Sequence, residues 1–230
     1  MNNLILYFPY YNQASALKFQ LENYYKFKES TRKRFTIFIV DDGSKDDALQ
    51  YIEKKYLLKL NIILYRIDID IPWNTPETNN LAFLKMDSEI CLRTDIDHFI
   101  DENNLIKLLN KKLDLKNNYY KFKRKYENEK LKSHPNTYLI NKRNYMISKG
   151  YNESLSGNYG DDFDFLPRIN KIVKPILLKD ITINVQTNFS TKGLLRDAKI
   201  NRNKLKNKKL PHLMYQHKDK YILKLKNIIY

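Results

Sequence analysis

Short apolar runs alternate with longer amphipathic segments from the start of the chain. "LILYF" (Leu4 to Phe8) reads as a buried strand, and the segment from Ser15 to about Phe27 carries Leu17, Leu21 and Tyr24 at helical spacing. "FTIFIV" (Phe35 to Val40) predicts a second strand, followed by the turn "DDGSKDD" and a helix from Ala48 to Tyr56. "NIILYRI" (Asn61 to Ile67) is a third strand. The loop "DIDIPWNTP", a helix from about Glu77 to Met86 and a fourth strand "EICLRT" (Glu89 to Thr94) follow. Strands separated by helices in this way predict parallel βαβ units with right-handed crossovers.

Beyond Asn103 a helix is expected to reach Leu113, and "YYKFKRKY" (Tyr119 to Tyr126) alternates aromatic and basic residues as a half-exposed strand does. Tyr138 to Ile140 is another short strand. Of the 5 glycines, Gly150, Gly157 and Gly160 fall in "GYNESLSGNYGDDFDF", the mark of a loop that needs unusual backbone angles. A helix from Asp162 to about Ile172 and the strand "PILLKDITINV" come next, and "LLRDAKINRNKLKNKK" reads as a basic helix. In an open α/β sheet, ligands bind beyond the carboxyl ends of the strands. Asp41, Asp42, Asp95 and Asp97 all follow strands, so the pattern puts all four along one edge.

Composition narrows the setting. A chain of 230 residues suffices for one sizeable α/β domain. The single cysteine, Cys91, excludes an internal disulfide and favours a reducing, cytoplasmic compartment. The start "MNNLILYFPYYN" lacks the features of a signal peptide, and no run approaches the ~18–20 apolar residues of a membrane span. The net charge is +16, and residues 191–230 carry 12 Lys/Arg against 2 Asp/Glu, a net of +10. Such a tail is either a solvated basic surface or an attractor of an anionic partner, such as nucleic acid, phospholipid or a nucleotide-activated donor.

Three clusters carry candidate chemistry. Asp95 and Asp97 in "LRTDIDHF" are spaced by two, which aims both carboxylates to one side of an extended segment. Hard divalent cations such as Mg²⁺ or Mn²⁺ take oxygen ligands and share them with substrate phosphates; alone, the pattern is also that of a solvated turn. His98, one residue further, offers itself as a ligand or as a supporting residue; it faces the other way, which favours support, while His134, His212 and His217 read as structural or exposed. In "VDDGS", Asp41 or Asp42 can accept hydrogen bonds from a nucleobase or ribose, or simply belong to a capped turn. In "GNYGDDFDF", Asp161 and Asp162 open a helix at a glycine loop, where a carboxylate is stabilised by the helix dipole and can also reach an acceptor hydroxyl as a general base. Trp73, in a loop on the same edge, offers a stacking face for a base or a sugar.

Taken in order, "FPYYN", "VDDGS", "NNLAF", the D-x-D after the fourth strand and "GYNESLSGNYGDDFDF" resemble glycosyltransferase family 2 and the β-1,4-galactosyltransferases, which share the GT-A fold. The resemblance covers roughly Leu4 to Asn203. It implies an α/β GT-A fold with a Rossmann-like mixed central sheet flanked by helices. It implies a catalytic domain over residues 1–190, with a nucleotide-sugar half to about 100 and an acceptor half beyond, and a basic helical extension (191–230) packed on it. The implied activity is metal-dependent, inverting hexosyl transfer from a nucleotide sugar, a UDP-sugar, to a glycan hydroxyl, with Mn²⁺ or Mg²⁺. Pro9, Tyr10, Trp73 and Asn80 would then shape the donor pocket, and Asp41 or Asp42 would read the base. Asp95 would approach the ribose and the metal, Asp97 would bind the metal, and Asp162 would deprotonate the acceptor, with Asp161 in the place of the family's glutamate. An arginine common before the asparagine of "NNLAF" is Asn79 here, and the third metal ligand has no clear match in "NVQTNFSTKGLLRD"; Arg196 is a candidate diphosphate contact. Two other readings stand beside this one: nucleic acid bearing a modified base as acceptor, and a catalytically silent binding module.

Overall fold

The computed structural model describes residues 3–127, 129–186, 197–207 and 210–229; Arg196 and most of "NVQTNFSTKGLLRD" lie outside them. The first half runs β1 (Leu4–Tyr10), α1 (Ala14–Tyr25), α2 (Glu29–Arg32), β2 (Phe35–Asp41), α3 (Lys54–Leu57), β3 (Ile62–Ile67), α4 (Thr75–Lys85) and β4 (Ile90–Arg93). The second half runs β5 (His98–Phe99), α5 (Glu102–Asn110), β6 (Asn118–Tyr126), β7 (Glu129–Leu131), β8 (Tyr138–Asn141), α6 (Lys142–Ile147), α7 (Asp162–Ile169), β9 (Lys174–Val185), α8 (Lys199–Lys206) and β10 (Tyr221–Asn227).

The strands form one mixed sheet in the order β10-β3-β2-β1-β4-β8-β6-β9-β5, with β7 paired to β6. β1 to β4 are mutually parallel, as the βαβ pattern requires. Beyond β4 the sheet turns mixed: β8 is antiparallel to both β4 and β6, while β9 runs parallel to β6. Alternation along β1 explains the layers. Leu4, Leu6, Phe8 and Tyr10 join the core on one face with Leu17, Leu21 and Tyr24 of α1 and Leu105 and Leu108 of α5. Ile5 and Tyr7 join the core on the other, with Leu81 and Phe83 of α4, Tyr145 of α6 and Phe165 of α7. A sheet covered on both faces reads as near-continuous apolar runs, which is why "LILYF" and "FTIFIV" show no polar alternation.

Two segments differ from the expectation. The helix expected from Ala48 to Tyr56 is a single 3₁₀ turn (Ala48–Tyr51) followed by the short α3. Asp41 Oδ2 accepts the Ala48 N–H, Asp47 takes a positive φ of 29°, Ile52 leaves the helical region and Glu53 is extended, so the helix restarts rather than continuing. The region 191–230, expected to be helical, is so only over α8 and a 3₁₀ turn (Lys218–Lys220) among its described residues. Its end is β10, antiparallel to β3 at the sheet's edge, with Tyr221 opposite Ile67 and Asn227 opposite Ile62. An unpaired β3 would leave a row of backbone groups open, and "YILKLKN" mixes apolar and basic residues as an edge strand does. The segment before β10 is fastened to α4: His217 N–H and Tyr221 OH donate to Oε1 of the buried Glu77, at 3.1 and 2.9 Å, and His217 Nδ1 lies 3.0 Å from its Oε2. No helix among the described residues is long and apolar enough to cross a membrane.

Candidate active site

The carboxyl ends of β1, β2 and β4 open on a cavity of about 290 Å³. Pro9, Tyr10, Asp42, Trp73, Asp95 and Asp97 line it, joined from the second half of the chain by His98, Arg124, His134 and Tyr159. The first six were all marked by sequence. The strand-end turn after β2 depends on Gly43, whose φ is +67° and where an added Cβ would lie 2.3 Å from the Ile69 carbonyl oxygen. Only glycine fits there, and the turn leaves Asp42 on the cavity side.

Asp41 and Asp42 separate into different roles. Asp41 is fully buried and its two oxygens are occupied: Oδ1 accepts the Ser44 N–H at 2.8 Å, and Oδ2 accepts the Ala48 N–H at 3.0 Å and pairs with Arg66 at 3.1 Å. It holds the turn and leaves the cavity wall to Asp42. Burial pushes the Asp42 carboxyl well above its ordinary range, with Glu77 and Asp41 adding repulsion and a hydrogen bond from Asn74 opposing it. Its Oδ1 is buried without a hydrogen-bond partner among the described residues.

Asn80 lies away from the cavity, contrary to its expected place in the donor pocket. Its Oδ1 accepts from Tyr145 OH (2.7 Å) and Tyr151 N–H (2.9 Å), and its Nδ2 donates to Tyr151 O (2.9 Å) and Glu153 Oε1 (2.7 Å). The side chain is consumed in tying α4 to the segment after α6. Trp73 sits on the cavity wall in a left-handed backbone conformation (φ 51°), unusual for a bulky residue, and meets the ring of Tyr159 edge-on at 5.0 Å. Tyr10 points its hydroxyl away, donating to Asp46 at 2.7 Å, so the ring alone faces the cavity.

Asp95 and Asp97 stand at the centre. Arg93, fully buried at the end of β4, pairs with Asp95 Oδ1 at 2.6 Å, and its Nε donates to Asn79 Oδ1 at 3.2 Å. It also donates to the Asn136 carbonyl, while its Nη2 has no partner among the described residues. Burial would raise the Asp95 carboxyl, but Arg93, His134 and His98 hold it well below the usual carboxylate range. Asp97 goes the other way, raised by burial and by the charge of Asp95. The two carboxylates are thus electrically distinct, one pinned ionised and one open to a further positive charge.

His134 is the residue that sequence reasoning missed, and His98 is the one it set aside as support. His98 is buried, with Nδ1 3.2 Å from Asp97 Oδ1 and 3.5 Å from Asp95 Oδ2, yet forming no well-aligned hydrogen bond. It does not turn away, because the backbone leaves the extended form between Arg93 and β5, where His98 N–H bonds back to Asp95 O. His134, from the loop between β7 and β8, brings Nδ1 to 3.1 Å from Asp95 Oδ2. Ligand atoms of Asp95, His98 and His134 all lie within 4.8 Å of one another, a spacing that fits one cation. Only the position of His98 beside the D-x-D hinted at this; nothing local to "SHPN" marks His134. Asp162 opens α7 and Asp161 precedes it. Burial and the Asp162 charge raise the Asp161 carboxyl to about 7, and burial raises Asp162, which also feels the charges of His134, Arg93 and Asp95.

Comparison with known proteins agrees with this architecture. No curated protein matches the chain. Among solved structures, S. aureus TarS 1-349 in complex with UDP-GlcNAc superposes with a TM-score of 0.65 at 16% identity, over 82% of this chain and 59% of that one. The mannosyltransferase PcManGT from Pyrobaculum calidifontis, in complex with GDP-Man and Mn2+, gives 0.61 at 15% identity, over 83% and 58%. The catalytic domain of Drosophila beta1,4galactosyltransferase 7 gives 0.53 at 13%, over 79% and 66%. The chain thus spans about 60% of the TarS 1-349 and PcManGT structures. These likenesses establish the GT-A fold. The family model of glycosyl transferase family 2 matches residues 6–182, most of the chain, and the protein belongs to that family of glycosyltransferases.

Proposed function

We propose that this glycosyltransferase is metal-dependent and inverting, and moves a sugar from a UDP-sugar to a glycan hydroxyl. The observation that carries the reading is the pairing of an ionised Asp95 with a nearby Asp97 in a strand-end cavity that Asp42 and Tyr10 also line. That arrangement suits a diphosphate at one end and a nucleobase at the other. The residues from 1 to about 100 would bind the nucleotide sugar, those from about 101 to 190 the acceptor, with the C-terminal residues packed against the same domain.

Asp42 is the group at the base end, and Pro9, the Tyr10 ring and Trp73 supply apolar walls. Asp95 and Asp97 are the groups to hold a divalent cation, and the buried, unaligned His98 Nδ1 between their oxygens supports that fit. When bound, the cation would offset the charge that develops on the departing diphosphate. Arg93 keeps Asp95 ionised and oriented, and its Nη2, without a partner among the described residues, offers a further N–H to an anion. Asp162 is the general base, its raised carboxyl better matched to accepting a hydroxyl proton near neutrality. Asp161 stays at its side. The single buried cysteine, Cys91, supports a reducing, cytoplasmic setting.

The test is release of UDP from UDP-sugars with a panel of glycans, with Mn²⁺ and after chelation, in the wild type, D97A and D162N. We expect chelation and D97A to abolish release, and D162N to lower it by about 10²–10⁴-fold while nucleotide binding persists. Full activity in D97A, or in chelator, overturns the reading.

A further inference from the structure

The loop "DIDIPWNTP" between β3 and α4 carries Trp73 and Thr75 onto the cavity wall, and its Ile69 carbonyl lies against Gly43, the residue after Asp42. Trp73 is left-handed there, a conformation that persists only where its surroundings hold it. The hold comes from the far end of the chain. Before the loop's middle, the Asp68 N–H donates to the Lys220 carbonyl at 2.9 Å. Beyond it, Glu77, 1% exposed, accepts the His217 N–H and the Tyr221 hydroxyl on Oε1 and the His217 ring on Oε2. A carboxylate oxygen accepts, so His217 Nδ1 carries the ring proton. This strap, residues 217–221, comes after residue 182, where the family match ends.

Asn74 carries the contact onward. It is fully buried, and its Nδ2 donates to Glu77 Oε2 at 2.9 Å. The same amide supplies the hydrogen bond to Asp42, while its Oδ1 has no partner among the described residues. An amide set between two acceptors turns its nitrogen to both. Glu77 thereby fixes which way Asn74 faces. Asp42 keeps Oδ1 without a partner among the described residues, beside the cavity it lines.

We propose that Glu77 and the strap residues His217 and Tyr221 are positioning residues for the donor's nucleobase: through Asn74 they set Asp42 to accept a ring N–H of the base. The inference rests on the reading of Asp42 as the group at the base end and deepens it. The chemistry of Asn74 separates this role from plain support of the fold. In E77Q one oxygen of the carboxylate becomes an NH2. Oε1 faces a backbone N–H, which cannot invert, so the remaining oxygen stays there and the NH2 takes the place of Oε2. His217 can move its ring proton to Nε2, but Asn74 must invert to accept. Its Oδ1 then turns toward Asp42, acceptor against acceptor.

Calorimetric binding of UDP and of pyrophosphate, each with Mn²⁺, to the full chain tests the proposal in the wild type, E77Q, Y221F, D42N and E77Q/D42N. Trp73 emission without nucleotide is read beside it. We expect E77Q to bind UDP about tenfold more weakly and Y221F about threefold, with pyrophosphate affinity unchanged in both. In the D42N background E77Q should cost nothing further, because the residue it acts through is already altered. Trp73 emission should shift in E77Q. Y221F removes a single hydroxyl and carries the comparison if E77Q folds poorly. Plain support of the fold predicts a lower melting temperature with unchanged UDP affinity in the folded chain, and that result overturns the proposal. Equal loss of UDP and pyrophosphate, or a full E77Q loss in the D42N background, also overturns it. The two readings fail separately. UDP bound equally by the wild type, E77Q and Y221F, yet weakened by D42N, removes the strap's role and leaves the donor reading standing. A chain that binds no UDP while Trp73 still responds to E77Q removes the base end with its donor and leaves the strap's hold on the loop.

Discussion

Arg93 at the end of β4 donates its Nε to the side-chain oxygen of Asn79 on α4, at 3.2 Å. The same guanidinium closes on Asp95 at 2.6 Å. The family pattern to which "NNLAF" is similar carries an arginine at the position of Asn79. In this chain the helix contributes the acceptor and the strand contributes the cation.

Removing Arg93 should therefore do two things. R93M leaves Asp95 buried without its strongest partner, and loss of one member of such a pair costs roughly 3–5 kcal/mol, with the lower end expected because Asp95 keeps some contact with solvent. Urea denaturation measures this. Installing arginine on the helix in that background, R93M/N79R, is expected to recover part of both stability and UDP release. A double variant no better than R93M would show that the charge must come from the strand.

Asp161 should make stability fall as pH rises. Its carboxyl is raised to about 7 in the folded chain by burial and by Asp162, against ~3.9 when unfolded. Between about pH 4 and 7 the unfolded chain has given up this proton and the folded chain has not, so this group's contribution to stability declines through that window and levels off above it. D161N cannot ionise and should remove the share of the slope that Asp161 contributes. It is expected to match the wild type near pH 4 and to exceed it at pH 8 by roughly 2–4 kcal/mol. Chemical denaturation across that pH range checks the sign.

Asn80 separates anchoring from donor binding. N80A leaves the Tyr145 hydroxyl and Oε1 of the buried Glu153 without their Asn80 partner, while Glu153 Oε2 keeps the Gln216 N–H, and each buried group left unpaired costs about 1–3 kcal/mol. A lower melting temperature is expected, with donor KM unchanged in the fraction that remains folded. A rise in KM without loss of stability would return Asn80 to the donor pocket.

Trp73 is the only tryptophan in the chain and lies on the cavity wall against Tyr159. Its fluorescence should change on titration with UDP-sugar, saturably and at the affinity found by calorimetry. Y159A should shift the starting spectrum, because one neighbour of the indole is gone. A spectrum indifferent to nucleotide would place the donor away from this wall.

The alternation of apolar runs was enough to locate β1 to β4 and the edge they share, because a doubly covered parallel sheet leaves continuous apolar segments in the sequence. D-x-D and "VDDGS" were legible for the same reason: they are local, and a strand end fixes their direction. The place of Asn80 in the donor pocket rests on the resemblance of "NNLAF" alone, while its partners, Tyr151 and Glu153, come from a segment brought near only by folding. His134 escaped for the same cause, since Asp95 meets it only once β8 lies antiparallel to β4. The strand β10 was hidden by composition: lysines among apolar residues look like the continuation of a basic helix until β3 presents an edge to pair with.

That edge has a kinetic cost. β3 is a wholly non-local partner for β10, and the buried Glu77 waits for His217 and Tyr221, 140 and 144 residues away. Contacts of such separation form late, after the chain has met the entropy of closing a long loop. During that interval "IILYRI" is an open apolar strand edge, the kind of surface on which two molecules pair with each other instead. Yield on refolding should therefore depend on protein concentration more steeply than the stability of the finished fold would suggest.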